Sequence, residues 1–204
     1  EHFGPLSGHQ GKLKEDAKRK ILTAFAYGTG LGPTQIAKNV TDLSARQVAF
    51  VNQRQVTTEK LESAIDTVIN AYNRFRLPHY WGDTKRAAAD GTQWNVYENN
   101  LLSERHIRYG GYGGIAYYHV SDDYIALFSH FIPCGVWEAV YILDGLTKNR
   151  SDIRPDTLHG DTQAQSAPVY GLAYLLGIKL MPRIRNWKDL KWFRPAATGA
   201  YRHI

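Results

Sequence analysis

Residues 157–165 read T-L-H-G-D-T-Q-A-Q. A short extended run ends at one acid, Asp161, and a helical pattern opens just beyond it. An aspartate in that place caps a helix by accepting backbone N–H bonds. It can equally hold a metal ion through hard carboxylate oxygens. The fold decides between these through whatever it sets beside Asp161.

Working outward, residues 165–176 carry Val169, Leu172, Ala173 and Leu176 at helical spacing, and Gly177 closes the helix. Residues 178–184 read as a last strand that Pro182 ends or places at an edge. Upstream, 136–149 is helical, with Val136, Val140, Leu143 and Leu146 on one side. Before it, Ile115–Val120 and Tyr124–Ile132 are rich in β-branched and aromatic residues, with Ser121-Asp122-Asp123 between them. That predicts an antiparallel hairpin. A first strand falls near R-A-A-A-D-G-T-Q-W-N-V, residues 86–96. The order is therefore strand, strand, strand, helix, strand, helix, strand. The first three strands pair antiparallel, and the later ones join through helices by right-handed crossovers and so run parallel. This is the order of an RNase H-like core, an α/β (α+β) architecture with a mixed sheet.

A helical segment, residues 1–78, precedes that core, which takes 79–204. Ile21, Leu22, Phe25 and Ala26 share a helical face that stops at Y-G-T-G-L-G-P. Pro33 opens a short helix in T-Q-I-A-K-N-V, where proline is tolerated. Ser44 to Gln47 has the form of a capping box, ahead of Val48 and Val51. Leu61, Ile65, Val68, Ile69 and Tyr72 form the clearest apolar stripe. Helices over 34–40 and 45–55 are spaced as a helix-turn-helix, which reads either as a DNA-binding element or as plain helical packing.

The bulk numbers agree with a packed, soluble protein. Of 204 residues, 43% are hydrophobic and 12% aromatic. No apolar run approaches the roughly 20 residues of a membrane span, and residues 1–20 do not resemble a secretory leader. A single cysteine, Cys134, excludes an intramolecular disulfide and fits a cytoplasmic setting. The net charge of +6 favours a polyanionic partner such as nucleic acid. The basic residues cluster in K-L-K-E-D-A-K-R-K (12–20) and K-L-M-P-R-I-R-N-W-K-D-L-K-W-F-R (179–194). The second run interleaves Trp187, Trp192 and Phe193, a pattern suited to phosphates and unstacked bases or to a solvated face over core aromatics. Arg183, Arg185, Lys188 and Lys191 are the candidate phosphate contacts.

In an RNase H-like sheet the first and fourth strands are neighbours, which brings Asp90 to Asp161. Facing carboxylates repel, and a divalent cation reverses the repulsion. Hard oxygen ligands select Mg²⁺ or Mn²⁺, and two such ions suit phosphoryl transfer. Taken singly, Asp90-Gly91 also reads as a turn, and Asp161 as the cap of the helix over 165–176. Asp122 and Asp123 suit the hairpin turn. Glu138 and Asp144 read as solvated or locally paired. His119 and His130 are placed to face each other across the hairpin as satisfied sheet histidines. The glycines of R-Y-G-G-Y-G-G (108–114) read as a flexible loop entering a strand. Cys134, ahead of a helix, is placed where its pKa could fall, and reads as structural.

Several segments together resemble transposases of the Tn-three family, the class II replicative transposons. They are G-T-G-L-G-P-T-Q-I-A-K-N-V (28–40), I-N-A-Y-N-R-F-R-L-P-H-Y-W-G-D (69–83), A-A-A-D-G-T-Q-W-N (87–95), R-Y-G-G-Y-G-G-I-A-Y-Y-H-V-S-D-D-Y (108–124), A-V-Y-I-L-D-G-L (139–146) and the run from Leu158 to Lys191. They fall in the family's order. The resemblance implies a DDE transposase that uses Mg²⁺ to nick transposon ends and join the freed 3′-OH to target DNA. It implies Asp90 and Asp161 as the first and second metal-binding acids. It implies the terminal inverted repeats, target DNA and further transposase copies as partners. The family's third acid, a glutamate, lies on a later helix, which this sequence is not expected to contain. The chain then reads as a fragment that binds Mg²⁺ weakly and cuts DNA poorly or not at all.

Overall fold

The computed structural model describes residues 2–5, 14–96, 98–107, 110–191 and 196–198. The chain divides into two compact units, Glu1–Ala71 and Tyr72–Ile204.

In the first unit, α1 (Asp16–Gly28), α2 (Gly32–Asn39) and α3 (Ala45–Gln55) pack on one another. Their shared core is Ala26, Ile36, Leu43 and Val48, with Leu22 and Val40 against it. Pro33 sits in the first turn of α2, where the missing N–H costs nothing. The capping box forms in both directions. Ser44 Oγ accepts from the Gln47 N–H at 3.3 Å, and Gln47 Oε1 accepts from the Ser44 N–H at 2.9 Å. Two expected apolar faces are only partly covered. On α1, Ile21 and Phe25 are exposed. On α4 (Thr58–Tyr72), Leu61, Ile65 and Val68 are exposed and only Ile69 is buried. Periodicity shows where the apolar face of a helix lies, but not whether another element covers it.

The second unit is built on a mixed sheet. Its strands are β1 (Arg86–Asn95), β2 (Glu104–His106), β3 (Gly111–Ser121), β4 (Ala126–Pro133), β5 (Thr157–Gly160) and β6 (Lys179–Pro182). Helix α5 (Ala139–Lys148) joins β4 to β5, and α6 (Ala167–Leu175) joins β5 to β6. The sheet order is β2-β3-β1-β5-β6, with β4 also paired to β3. β3 runs antiparallel to β1, β2 and β4, while β1–β5 and β5–β6 are parallel. With β2 set aside, β4-β3-β1-β5-β6 is the RNase H-like order. β2 is one strand more than the sequence predicts, because three residues, E-R-H, carry no alternation to read.

Helix α5 lies on the sheet face that carries Ile115, Tyr117 and His119. Its Gly145 makes the approach possible: a Cβ there would sit 2.1 Å from His119 Cε1. His119 Nε2 donates to the Ile142 carbonyl at 2.7 Å. The two histidines do not oppose each other. The register pairs His119 with Phe128 and Tyr117 with His130. The His130 ring stacks on Phe128 and Tyr141 instead.

Gly111, Gly113 and Gly114 belong to β3 rather than to a flexible loop. The Phe131 ring covers Gly114, where a Cβ would meet Cζ at 2.1 Å, and Gly113 lies against the Trp94 carbonyl. These glycines admit close neighbours. Arg108 and Tyr109 lie outside the described residues. Asp123, expected only to suit the hairpin turn, is fully buried, and neither of its carboxylate oxygens has a hydrogen-bond partner among the described residues.

Candidate active site

The β1–β5 pairing aligns Arg86 with Thr157, Ala87 with Leu158 and Ala88 with His159. Two residues further along each chain stand Asp90 and Asp161. Adjacent strands lie about 4.8 Å apart, and aligned residues of a parallel pair project to the same side. The register therefore carries both acids to one end of the β1–β5 seam.

Their local settings differ. Asp90 lies within β1, opposite Tyr118 of β3, so Asp90-Gly91 is strand and not a turn. Its Oδ1 accepts from the Gly91 N–H at 2.9 Å. Asp161 follows β5 in extended backbone, and its Oδ1 accepts from the Gln163 N–H at 2.9 Å. It caps a 3-10 turn, Thr162–Ala164. The longer helix α6 has its own cap, Ser166, whose Oγ accepts from the Val169 N–H at 3.4 Å. The helix cap expected of Asp161 thus falls to Ser166, and α6 opens later than the sequence suggests.

A buried phenol lies within the field of these acids. Tyr117 is 1% exposed. Its pKa is pushed far above the ordinary phenol value, first by burial, then by the charges of Asp161, Glu138 and Asp90. Glu138, read from the sequence as solvated or locally paired, joins this group. Its Oε1 accepts from Gln163 Nε2 at 3.3 Å. No motif around Glu138 signals that role; only the packing of α5 on β3 brings it there.

The donor set of Asp90 and Asp161 is oxygen only, which fits a hard divalent cation better than a soft one. Each carboxylate spends Oδ1 on a local backbone N–H, which fixes its orientation. Among the described residues no group of three or more His, Cys, Asp or Glu side chains is arranged to hold a metal. The pair fits as part of a centre rather than as a complete one.

The basic segment starts beside Asp161. The Arg183 N–H donates to the Gly160 carbonyl at 2.9 Å, extending the β5–β6 pairing. Arg183, Arg185, Lys188 and Lys191 are all exposed, as is Trp187. Trp192 and Phe193 lie outside the described residues. Cys134 is buried, and its thiol pKa is raised, first by burial and then by Glu104 and Glu138. The lowering considered for it does not occur, because α5 starts only at Ala139.

Residues 1–204 match the family described as the Tn3 transposase DDE domain. The chain belongs to this family. Three transposases are similar to this DDE domain across nearly all of it. That of transposon Tn3926 from Escherichia coli is 30% identical over 93% of the chain. That of Tn21, also from Escherichia coli, is 28% identical over 98%. That of Tn1546 from Enterococcus faecium is 27% identical over 95%. The chain spans about 20% of the length of each. Among solved structures, the Mos1 strand transfer complex gives a TM-score of 0.35 at 14% identity, covering 86% of this chain and 60% of that one. Among the described residues no helix of this DDE domain is long and apolar enough to cross a membrane.

Proposed function

We propose that Asp90 and Asp161 are two metal-binding acids of a DNA transposase that cuts transposon ends and joins them to target DNA. The observation that carries this reading is the parallel β1–β5 register, which aligns Ala88 with His159 and so leads both acids to one end of the seam.

The cation is Mg²⁺ or Mn²⁺, one of two in the complete enzyme, and when bound it supplies Lewis-acid stabilisation of charge on phosphoryl oxygens. Asp90 and Asp161 bind it with carboxylates already oriented by the Gly91 and Gln163 N–H groups. In cleavage, a water oxygen forms a bond to phosphorus as the P–O3′ bond breaks, and the leaving oxygen takes a proton to become a 3′-OH. In joining, that 3′-OH attacks a target phosphate, and the target's own P–O3′ bond breaks. Arg183, Arg185, Lys188 and Lys191 hold DNA phosphates near Asp161. The third acid comes from outside these residues, and other copies of the transposase complete the assembly on terminal inverted repeats and target DNA.

Mn²⁺ titration followed by electron paramagnetic resonance tests the pair. Asp90→Asn and Asp161→Asn are each expected to weaken binding about tenfold or more. Unchanged affinity in both variants sinks the assignment. With two acids of three, the 204-residue chain is expected to cut DNA poorly or not at all. Strong Mg²⁺-dependent cleavage that Asp90→Asn abolishes overturns that part.

The helical segment, residues 1–78, is proposed to contact DNA or to act as a scaffold. The DNA reading is supported by a cleft at the start of α3 lined by Arg19, Ser44, Arg46, Gln47 and Phe50. Replacing Arg19 and Arg46 with alanine is expected to flatten the salt dependence of DNA binding. An unchanged slope leaves the scaffold role.

A further inference from the structure

One carboxylate reaches both the turn after Asp161 and the β1 backbone at Gly91. Glu138 occupies the N-cap position of α5 but makes no side-chain cap bond to that helix. Its two oxygens are directed elsewhere. Oε1 accepts from the Gln163 carboxamide at 3.3 Å. Gln163 in turn gives its backbone N–H to Asp161 Oδ1 at 2.9 Å. The same residue therefore ties Glu138 to Asp161.

The second oxygen lies over β1. A Cβ built on Gly91 would sit 2.7 Å from Glu138 Oε2 and 2.8 Å from Ile115 Cγ2. The glutamate thus fills the space that a side chain at position 91, next in sequence to Asp90, would need. Gly91 is also the donor to Asp90 Oδ1. Tyr117 lines the same space, 3.1 Å from that Cβ position, and feels the charges of Asp161, Glu138 and Asp90 together.

We propose that Glu138 is a positioning residue for the Asp90–Asp161 site, holding the Asp161 turn through Gln163 and packing over the Gly91 backbone. The role rests on the reading of those two aspartates as the functional acids. It assigns Glu138 no contact with substrate. Gln163 becomes the link whose two donors set the spacing between helix α5 and the acid that follows β5. Gly91 must stay small because a side chain there would meet Glu138 Oε2 and Ile115 Cγ2.

Amide hydrogen exchange on the metal-free 204-residue chain tests this without any need for a bound cation. Glu138→Ala is expected to raise exchange of the Gln163 amide by about fivefold to tenfold, the scale set by one lost hydrogen bond. The amides of Ser121 and Val169 should keep their rates. Glu138→Gln, whose carboxamide oxygen can still accept from Gln163, should restore most of the protection. An unchanged Gln163 amide in Glu138→Ala overturns the proposal. So does an equal rise at Ser121 and Val169, which marks a general loss of structure. Failure of the metal assignment is read separately, from Mn²⁺ binding by Asp90→Asn and Asp161→Asn.

Discussion

Ala88 on β1 and His159 on β5 are partners in a parallel ladder, and each precedes an aspartate by two residues. That pairing leads two acids far apart in sequence to the same end of the β1–β5 seam. Asp161 itself caps a short 3-10 turn with Oδ1.

Gly145 is a point of close approach between α5 and the sheet. With His119 Cε1 2.1 Å from where a Cβ would stand, Gly145→Ala forces the helix or the ring to move. Overpacking of this kind costs about 1–3 kcal/mol. Urea unfolding should show a lower midpoint with an unchanged slope. A wild-type midpoint would mean that the helix sits further from the sheet.

His119 makes stability depend on pH. Burial lowers its pKa, while the bond to the Ile142 carbonyl and the charge of Asp144 raise it less. The unfolded imidazole protonates near 6.5, whereas the folded one stays neutral to lower pH. The folded state then binds fewer protons. This contribution is fully present above about pH 6.5 and is lost as pH falls toward the folded pKa, at up to about 1.4 kcal/mol per pH unit. Denaturation at pH 7.5 and 5.5 should show a smaller difference in His119→Gln than in wild type. Equal differences would remove His119 as a source.

Ser44→Ala breaks the reciprocal cap of α3. The expected cost is about 1 kcal/mol, as for other N-caps. Thermal unfolding of the helical unit measures it, and Ser44→Asp, which keeps an acceptor, should recover most of the loss. No change in either variant would mean that α3 is held by its packing alone.

Much of this fold is legible in the sequence where local chemistry and tertiary context agree. Ile115–Val120 and Tyr124–Ile132 favour a pleated, half-buried surface, so the hairpin could be read directly. Ser44-x-x-Gln47 encodes its own hydrogen bonds. The parallel pairing of β1 with β5 followed from the order of elements, since parallel pairing needs helical crossovers. What escaped depends on contacts between distant residues. Gly113 and Gly114 look like loop glycines until Trp94 and Phe131 are seen against them. Glu138 looks like a solvated helix residue until α5 is laid on β3. Asp161 and Ser166 both have the chemistry of a cap, and the chain uses both, five residues apart, for two separate turns. The apolar stripe of α4 is present as read, yet most of it faces outward. Periodicity encodes a face, and burial needs a second surface to meet it.

The most direct test of the paired acids is anomalous diffraction from crystals of the chain soaked in Mn²⁺. The account predicts one manganese peak within about 2.2 Å of a carboxylate oxygen of both Asp90 and Asp161, in the range of a hard-cation bond. A peak bound to only one of them, or a peak elsewhere with none at the β1–β5 seam, would contradict it.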